Sequence, residues 1–571
     1  MNFNVSVYII FLVSFFSAPL SAQLSYGGNP MMNDSDFSAA KVIYMLPPED
    51  PMYIEALKSK QKSASKPLEF AIERAVDLDP DFNGEWSFRD GRHIWRVHII
   101  SPEAHSIGVL FSSFQLNSKS SLFIYSPGGT HVKGGFTSQN NKKFGSFYVG
   151  HTPGEEIIVE LQTSDPGRKY GELRIGSISH AFLPVFDEKL KGNTGLGESQ
   201  DCEIDINCSE GDDWQIIKKS VVHITTINLL CTGALVNNTN YDGKPYVLTA
   251  EHCISKESQA GSSLFYFGYE NSACGELDGK RDKSISGSYL LATGGPSATG
   301  VDRPIPDSLR VVDYTLLKLT ESPPTDFDVY FAGWDARNTQ HDGTVTIHHP
   351  NGDAKKISVD FENTVTPSTV PGDLNDYYVE SNYYIRQWDL GTTEGGSSGC
   401  PLFNNSKRLI GVLSGGLAMC GDSIGYNAES DRVTYSLSGN EDDYFSKISY
   451  SWDYAEAWND KLKAWLDQAG TGQLSIGGLS GRTLDYISDD AVRFSVYPNP
   501  SKGVFSLELP EYSGSDVLLE IFNISGYQVF SEEILSTYPL TVSVPELETG
   551  IYTLRLTDRS KVFTGTIIIH Q

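Results

Sequence analysis

Hydrophobic and polar positions change rhythm several times along this chain, and each change predicts a different kind of element. Val5 to Ala18 is almost wholly apolar, too short for a comfortable membrane span, and is followed closely by the small residues Ser21-Ala22. That is the outline of an export signal cleaved near Ala22, although Met1-Asn2-Phe3-Asn4 lacks the usual cation. The next stretch predicts two short helices, one from Tyr53 to about Ser65 and one that Pro67 opens and that runs to Ala75. From Glu85 to about Phe186 the period drops to two. Trp95-Arg96-Val97-His98-Ile99-Ile100 and Ser121-Leu122-Phe123-Ile124-Tyr125 alternate, Pro127-Gly128-Gly129 marks a turn, and residues 155–162 and 170–178 continue the pattern. This predicts an antiparallel β-sandwich, in which His151 and His180 read as ordinary surface or loop residues.

Residues 188–197 are polar and glycine-rich, the composition of a linker and a ready site for proteolysis. Cys202 then opens a run of short strands and turns that extends to about Gly481. It ends on a helical pattern, with Tyr454, Trp458, Leu462, Trp465 and Leu466 on one face and Gly470 as the stop. From Phe494 a β pattern returns through Leu518-Leu519-Glu520-Ile521-Phe522 and Ile551-Tyr552-Thr553-Leu554, which predicts a small terminal sandwich. No internal repeat relates the two sandwiches.

Composition narrows the setting. A chain of 571 residues suggests several domains, and a net charge of −28 argues against nucleic acid as a partner. All 7 cysteines fall between Cys202 and Cys420, so the flanking regions rely on core packing alone. Export makes disulfides their expected use, and no spacing among them makes a zinc site. The acidic loops lack the spacing of an EF-hand. No metal and no cofactor are expected.

The candidate chemistry centres on Glu394-Gly395-Gly396-Ser397-Ser398-Gly399-Cys400-Pro401, where glycines let backbone N–H groups converge on one point. Serine attacks a carbonyl only with a base beside it. Candidate partners stand upstream: His252 ends the apolar strand Tyr246-Val247-Leu248-Thr249, and Asp313 heads the alternating strand Tyr314-Thr315-Leu316-Leu317-Lys318. The order His, Asp, Ser, with Cys253 beside the histidine, points to a base, an orienting carboxylate and a nucleophile. Ser397 competes with Ser398 for the last role, and Glu251, beside the base, reads as pointing to solvent.

Gly-x-Ser-Gly-x-Pro resembles the nucleophile loop of chymotrypsin-like serine proteases, which implies Ser398 as nucleophile and the N–H groups of Gly396 and Ser398 as oxyanion hole. The middle of the chain resembles the lysyl endopeptidases. The matching stretches include Cys202-Glu203-Ile204-Asp205-Ile206-Asn207-Cys208, Cys231-Thr232-Gly233-Ala234-Leu235-Val236-Asn237-Asn238-Thr239, Ala332-Gly333-Trp334-Asp335 and Ile347-His348-His349-Pro350. That resemblance implies bridges Cys202–Cys420, Cys208–Cys274 and Cys231–Cys253, an unpaired Cys400, and a structural, metal-free His348-His349 pair. The substrate pocket is expected between Thr392 to Gly395 and Ser414-Gly415-Gly416, with an acid beneath to pair a lysine. Glu429 is the first choice for that acid, ahead of Asp431 and Asp422, although Ser414 replaces a histidine of the family. The last stretch, with Tyr497-Pro498-Asn499-Pro500, Ser525-Gly526 and Gly550-Ile551-Tyr552, resembles the C-terminal sorting domain of the type IX secretion system of Bacteroidetes.

Together these readings describe a mainly β chain: a signal peptide (1–22), a propeptide with a β-sandwich (23–197), a chymotrypsin-like double β-barrel (198–482), and a linker with a β-sandwich sorting domain (483–571). The expected activity is a secreted monomeric serine endopeptidase cutting protein substrates after lysine. Its partners would be its own propeptide and the type IX secretion machinery, and Lys191-Gly192 would be a self-activation site. The alternatives are the same triad with a preference for arginine or small or apolar residues, and a catalytically idle surface adhesin or binding module.

Overall fold

The computed structural model describes residues 25–32, 43–60, 67–186, 199–295, 312–367, 379–421, 423–427, 432–435, 440–455, 457–481, 492–493, 495–508, 517–523, 528–534, 540–558 and 561–570. The export-signal segment and Lys191-Gly192 lie outside them.

Two sheets face each other in the N-terminal unit. One runs Ile43–Met45, Arg92–Ile100, Glu156–Thr163, Ser120–Tyr125, Val132–Phe136, with Glu85–Arg89 also on Arg92–Ile100. The other runs Ala71–Leu78, Gly171–Ala181, Ser106–Leu116, Phe147–Pro153. Alternate residues of each sheet point inward, so Trp95, Val97, Ile99, Val109, Phe111 and Ile175 meet in one core. The first expected helix is Pro51–Lys60. The second is replaced by strand: Ala71–Leu78 is buried at both ends, alternates between half-buried and exposed positions in between, and pairs with Gly171–Ala181. Its Ala, Glu and Arg suit a helix, but burying its inward face against a partner strand outweighs a weak local preference.

His151 and His180 are buried rather than at the surface. His151 sits between the hydroxyls of Ser106 and Ser179 at 2.9 Å each, and His180 meets Ser101 at 2.8 Å. Burial pushes both well below the usual imidazole range, to about 3 and about 4, so both are neutral packing groups.

The middle unit is two antiparallel half-barrels. The first is ordered Ser284–Ser286, Leu264–Tyr266, Val221–Thr225, Leu229–Val236, Tyr246–Thr249, Thr315–Leu319, Ser288–Thr293. The second is ordered Ile204–Asp205, Lys356–Asn363, Asp342–His348, Pro401–Asn404, Leu409–Ala418, Asn440–Lys447, Asn382–Ile385. One apolar cluster, with Val236, Tyr246 and Leu248 from the first and Phe403, Leu409 and Val412 from the second, fixes the halves against each other. Trp334 lies within it, fully buried, its indole N–H bonded to Asn237 O at 2.8 Å and its ring against Trp452. The closing helix is shorter than its pattern suggests: Ile448–Ser451, a 3-10 turn at Trp458–Asp460 and Leu462–Leu466 replace one continuous element. Leu462 and Leu466 are buried while Trp458 is 60% exposed, so the apolar face breaks at the turn.

The C-terminal unit is a second sandwich. Val492–Arg493, Lys561–Ile569, Gly550–Asp558, Val517–Asn523 and Gln528–Ile534 form one sheet; Ser495–Tyr497, Val504–Glu508 and Leu540–Ser543 form the other. Phe505, Leu507, Leu519, Ile521, Leu554 and Leu556 fill the space between them. Among the described residues no helix is long and apolar enough to cross a membrane.

Because Trp334 fills the seam between the half-barrels, Trp334→Ala should cost about 3–5 kcal/mol. A thermal melt of the full chain should show the transition of the middle unit lowered and that of the terminal sandwiches unmoved; an unchanged melt would show that the seam closes without it.

Candidate active site

The loop between Gly391 and Pro401 folds as two tight turns, with Ser397 N–H bonded to Glu394 O at 3.0 Å and Cys400 N–H to Ser397 O at 2.9 Å. Two glycines allow this path. Gly396 has φ +94°, and Gly399 has φ +78° with no room for a methyl group, which would lie 2.1 Å from Thr249 Oγ1 and 2.6 Å from Thr232 O. The loop is tied to both halves of the middle unit. Thr232 N–H donates to Ser398 O at 2.8 Å, Thr232 Oγ1 to Gly396 O at 3.0 Å, and Gly399 N–H to Leu413 O at 2.9 Å.

The two serines are held differently. The Ser397 hydroxyl accepts Glu394 N–H at 3.2 Å and meets His348 Nδ1 at 2.8 Å, so it is part of the loop's own frame. Ser398 follows at the apex and is 5% exposed. Neither Gly396 N–H nor Ser398 N–H donates to another main-chain group among the described residues.

Strand pairing brings His252 and Asp313 together. Tyr246–Thr249 and Thr315–Leu319 are antiparallel neighbours with Thr249 opposite Thr315, so the residues just beyond Thr249 and just before Thr315 emerge at the same end. Asp313, 1% exposed, accepts His252 N–H at 3.1 Å and pairs with His252 Nδ1 at 2.8 Å. With Nδ1 carrying its proton toward the carboxylate, Nε2 is the basic nitrogen. It is buried with no protein hydrogen bond among the described residues. The Cys231–Cys253 bridge links the residue after His252 to the strand that holds the Ser398 carbonyl.

Burial alone would lower the His252 pKa, but the charge and hydrogen bond of Asp313, helped by Glu251, raise it above the usual imidazole value. Glu251 departs from its expected solvent orientation. It is half-buried, and its carboxyl packs so closely on Gly295 that a methyl group there would lie 2.6 Å from Oε1. Burial first, and the neighbouring Asp313 second, push it up to about 7.

The residues expected to wall the pocket lie on two elements of the middle unit. Thr392 and Thr393 come from the nucleophile loop, and Ser414, Gly415 and Gly416 from Leu409–Ala418. Glu429, Asp431 and Asp422 lie outside the described residues. A buried acid, Asp443, lies opposite Gly416 in the sheet and is 1% exposed. Its Oδ2 accepts the indole N–H of Trp388 and the hydroxyl of Thr393, each at 2.7 Å. Its Oδ1 faces Gly416, where a methyl group would lie 2.2 Å away. Burial pushes Asp443 up to about 7, against the pull of the two donors. Asp443 lies within the strand Asn440–Lys447, and the residues that follow it there, Tyr444 to Lys447, are all buried.

Three disulfides staple the middle unit: Cys202–Cys420, Cys208–Cys274 and Cys231–Cys253. Cys400 is a buried thiol 3.0 Å from Thr346 Oγ1, its pKa raised by burial. His348 joins Ser397 to Ser358, and His349 stacks on Tyr269 and meets Asp353 O at 3.0 Å. Burial lowers both, His348 to about 3, so both are neutral. Among the described residues no group of three or more His, Cys, Asp or Glu is placed to hold a metal ion.

Residues 196–432 match the family model described as "Lysyl endopeptidase, C-terminal domain", and residues 495–570 match that of the "Secretion system C-terminal sorting domain". A lysyl endopeptidase of Pseudomonas aeruginosa is 27% identical over 315 residues, covering 52% of this chain and 59% of that protein. Among solved structures, kallikrein-related peptidase 10 aligns with a TM-score of 0.26 at 17% identity, over 41% of this chain and 92% of its own. A Glu endopeptidase in complex with MPD aligns with a TM-score of 0.24 at 14% identity, over 40% and 85%. The chain thus carries a region homologous to lysyl endopeptidase and a C-terminal sorting domain, the latter marking a secreted or cell-surface protein of Bacteroidetes type.

If His252 acts as a base, it works in its neutral form, so activity rises with pH through its raised pKa. The Glu251 carboxylate contributes to that rise. Glu251→Gln should therefore move the acid limb of the kcat/KM profile to lower pH. A limb that stays in place, measured on an ester or peptide substrate, would show that Glu251 and His252 are not coupled.

Proposed function

We propose that this chain is a secreted serine endopeptidase that hydrolyses peptide bonds after lysine. The observation that carries the reading is the joining of two arrangements on one loop. Ser398 is held by Thr232 beside the strands that position His252 and Asp313, and Thr393, five residues earlier, binds a buried carboxylate.

Ser398 Oγ attacks the scissile carbonyl as its proton passes to His252 Nε2. Asp313 holds the imidazole in the tautomer that leaves Nε2 free and stabilises the imidazolium that forms. The carbonyl oxygen takes up negative charge against the Gly396 and Ser398 N–H groups; losing one such donor typically lowers kcat by roughly a hundred- to a thousandfold. The tetrahedral adduct collapses, the C–N bond breaks, and His252 returns the proton to the leaving amine. Water then repeats the sequence in reverse on the acyl-enzyme, releasing the acid and restoring Ser398.

Asp443 supplies the specificity. A carboxyl pushed up to about 7 sits near the midpoint of its ionisation at neutral pH, and an arriving ammonium group stabilises the charged form. Gly416 has no side chain to displace this carboxyl, whose Oδ1 lies directly against its backbone. The main chain of Ser414-Gly415-Gly416 pairs with the substrate as an added strand. The enzyme works as a monomer. The N-terminal sandwich, residues 23–197, is its propeptide, the protease unit spans 198–482, and residues 483–571 engage the secretion machinery.

A mixed peptide library cut by the secreted protein tests this. Cuts should fall after lysine and vanish in Ser398→Ala, and Asp443→Asn should lower kcat/KM for lysine peptides by about two to three orders of magnitude. Cuts after arginine alone, or after apolar residues, would remove the lysine assignment while keeping the triad. A processed protein that cuts nothing would leave a binding module.

A further inference from the structure

The segment after the first helix does something that neither the sandwich nor the triad requires. Leu68–Glu69 leaves the N-terminal unit and joins the first half-barrel as an extra strand on Leu229–Val236, Leu68 opposite Leu230 and Glu69 opposite Leu229. Phe70 N–H continues the pairing to Asn228 O at 3.0 Å. The same edge leads directly to the nucleophile: two residues beyond Leu230, Thr232 N–H binds the Ser398 carbonyl. The Leu68 side chain also reaches the oxyanion loop, since a methyl group on Gly395 would lie 3.6 Å from its Cβ.

Side and direction both matter. The lysine pocket, with Thr393, Gly416 and Asp443, belongs to the second half-barrel, so the acyl half of a substrate lies there. Leu68 and Glu69 lie on the first half-barrel, the side left for the departing half. The strands are antiparallel, so going from Leu68 to Glu69 steps from Leu230 to Leu229, away from Thr232 and Ser398. The segment therefore runs away from the nucleophile from N to C, the direction a substrate takes after its scissile bond. Pairing with an exposed edge is how extended peptides commonly bind.

We infer that residues 67–70 occupy the leaving-group side of the active-site cleft as a built-in substrate mimic, blocking extended substrates, and that the subsite filled by Leu68 selects an aliphatic residue near the cut. The inference rests on the protease reading. Leu68 is 3% exposed and packs against Leu230, the member of its apolar cluster that belongs to the protease unit and that gives the subsite its aliphatic character. The sandwich holds the segment in place from behind: Phe182 N–H and Leu183 N–H both donate to Phe70 O, at 3.0 and 3.2 Å.

The test uses the intact full chain, its integrity checked by mass, and a quenched peptide extending four residues beyond its lysine. Intact Leu68→Asp, with Leu68→Ala as a milder variant in case the first misfolds, should cut this peptide at least about tenfold faster than intact wild type. Hydrogen exchange should show the amide of Leu230, opposite Leu68, protected in wild type and exposed in the variants, while Leu229 N–H, bonded to Thr226 Oγ1, stays unchanged. Among products of the processed enzyme on a random library, leucine and other aliphatics should be enriched at the second position after the cut. Equal rates and equal exchange in the intact forms would overturn the block, and a flat distribution at that position would overturn the subsite. If no form reacts with an organophosphonate serine probe, the protease reading itself has failed and this inference falls with it. A form that labels but shows no difference between variants fails on the inference alone.

Discussion

The 2.8 Å hydrogen bond from Thr232 N–H to the Ser398 carbonyl joins a strand of one half-barrel to a loop of the other, and the candidate site depends on it. It fixes the loop where Gly399 has no space for a side chain, so the backbone passes within contact of Thr232 and Thr249. On the far side of Thr249 the chain turns to His252, whose neighbour Cys253 is bridged back to Cys231, the residue before Thr232. A short circuit of covalent and hydrogen bonds thus closes around serine and histidine. Asp313 completes it through the pairing of two strands rather than through any loop.

Much of this could be read from the residues because their chemistry is unusual for their position. A glycine-flanked serine pair, a histidine ending an apolar strand and an aspartate heading another each break the local pattern, and the structure brings them to one end of the first half-barrel and its seam. The three bridges place the cysteines in the pairs that the resemblance implies. The motif resemblance favours Ser398 over Ser397, and the structure ties the Ser397 hydroxyl to His348.

Other features depended on partners that lie far away in the chain. Ala71–Leu78 carries helix-forming residues, and only the strand 171–181 beside it makes it extended. Glu251 reads as a surface charge until Gly295 is seen to lie against it. Asp443 became visible once the sheet set it opposite Gly416, with Trp388 and Thr393 as donors. In each case the deciding contact is between residues distant in sequence, so no local window contains it.

The placement of Asp443 has an evolutionary consequence. His252 and Asp313 stand at the end of paired strands of the first half-barrel, while Asp443, the acid proposed to set specificity, projects from the strand Asn440–Lys447 of the second. A single codon change at position 443 would leave the paired strands that orient His252 and Asp313 untouched. Any replacement at 443 would, however, leave the buried Trp388 indole and the Thr393 hydroxyl of the nucleophile loop without their acceptor, so a change of preference at this position has to bring a new acceptor with it.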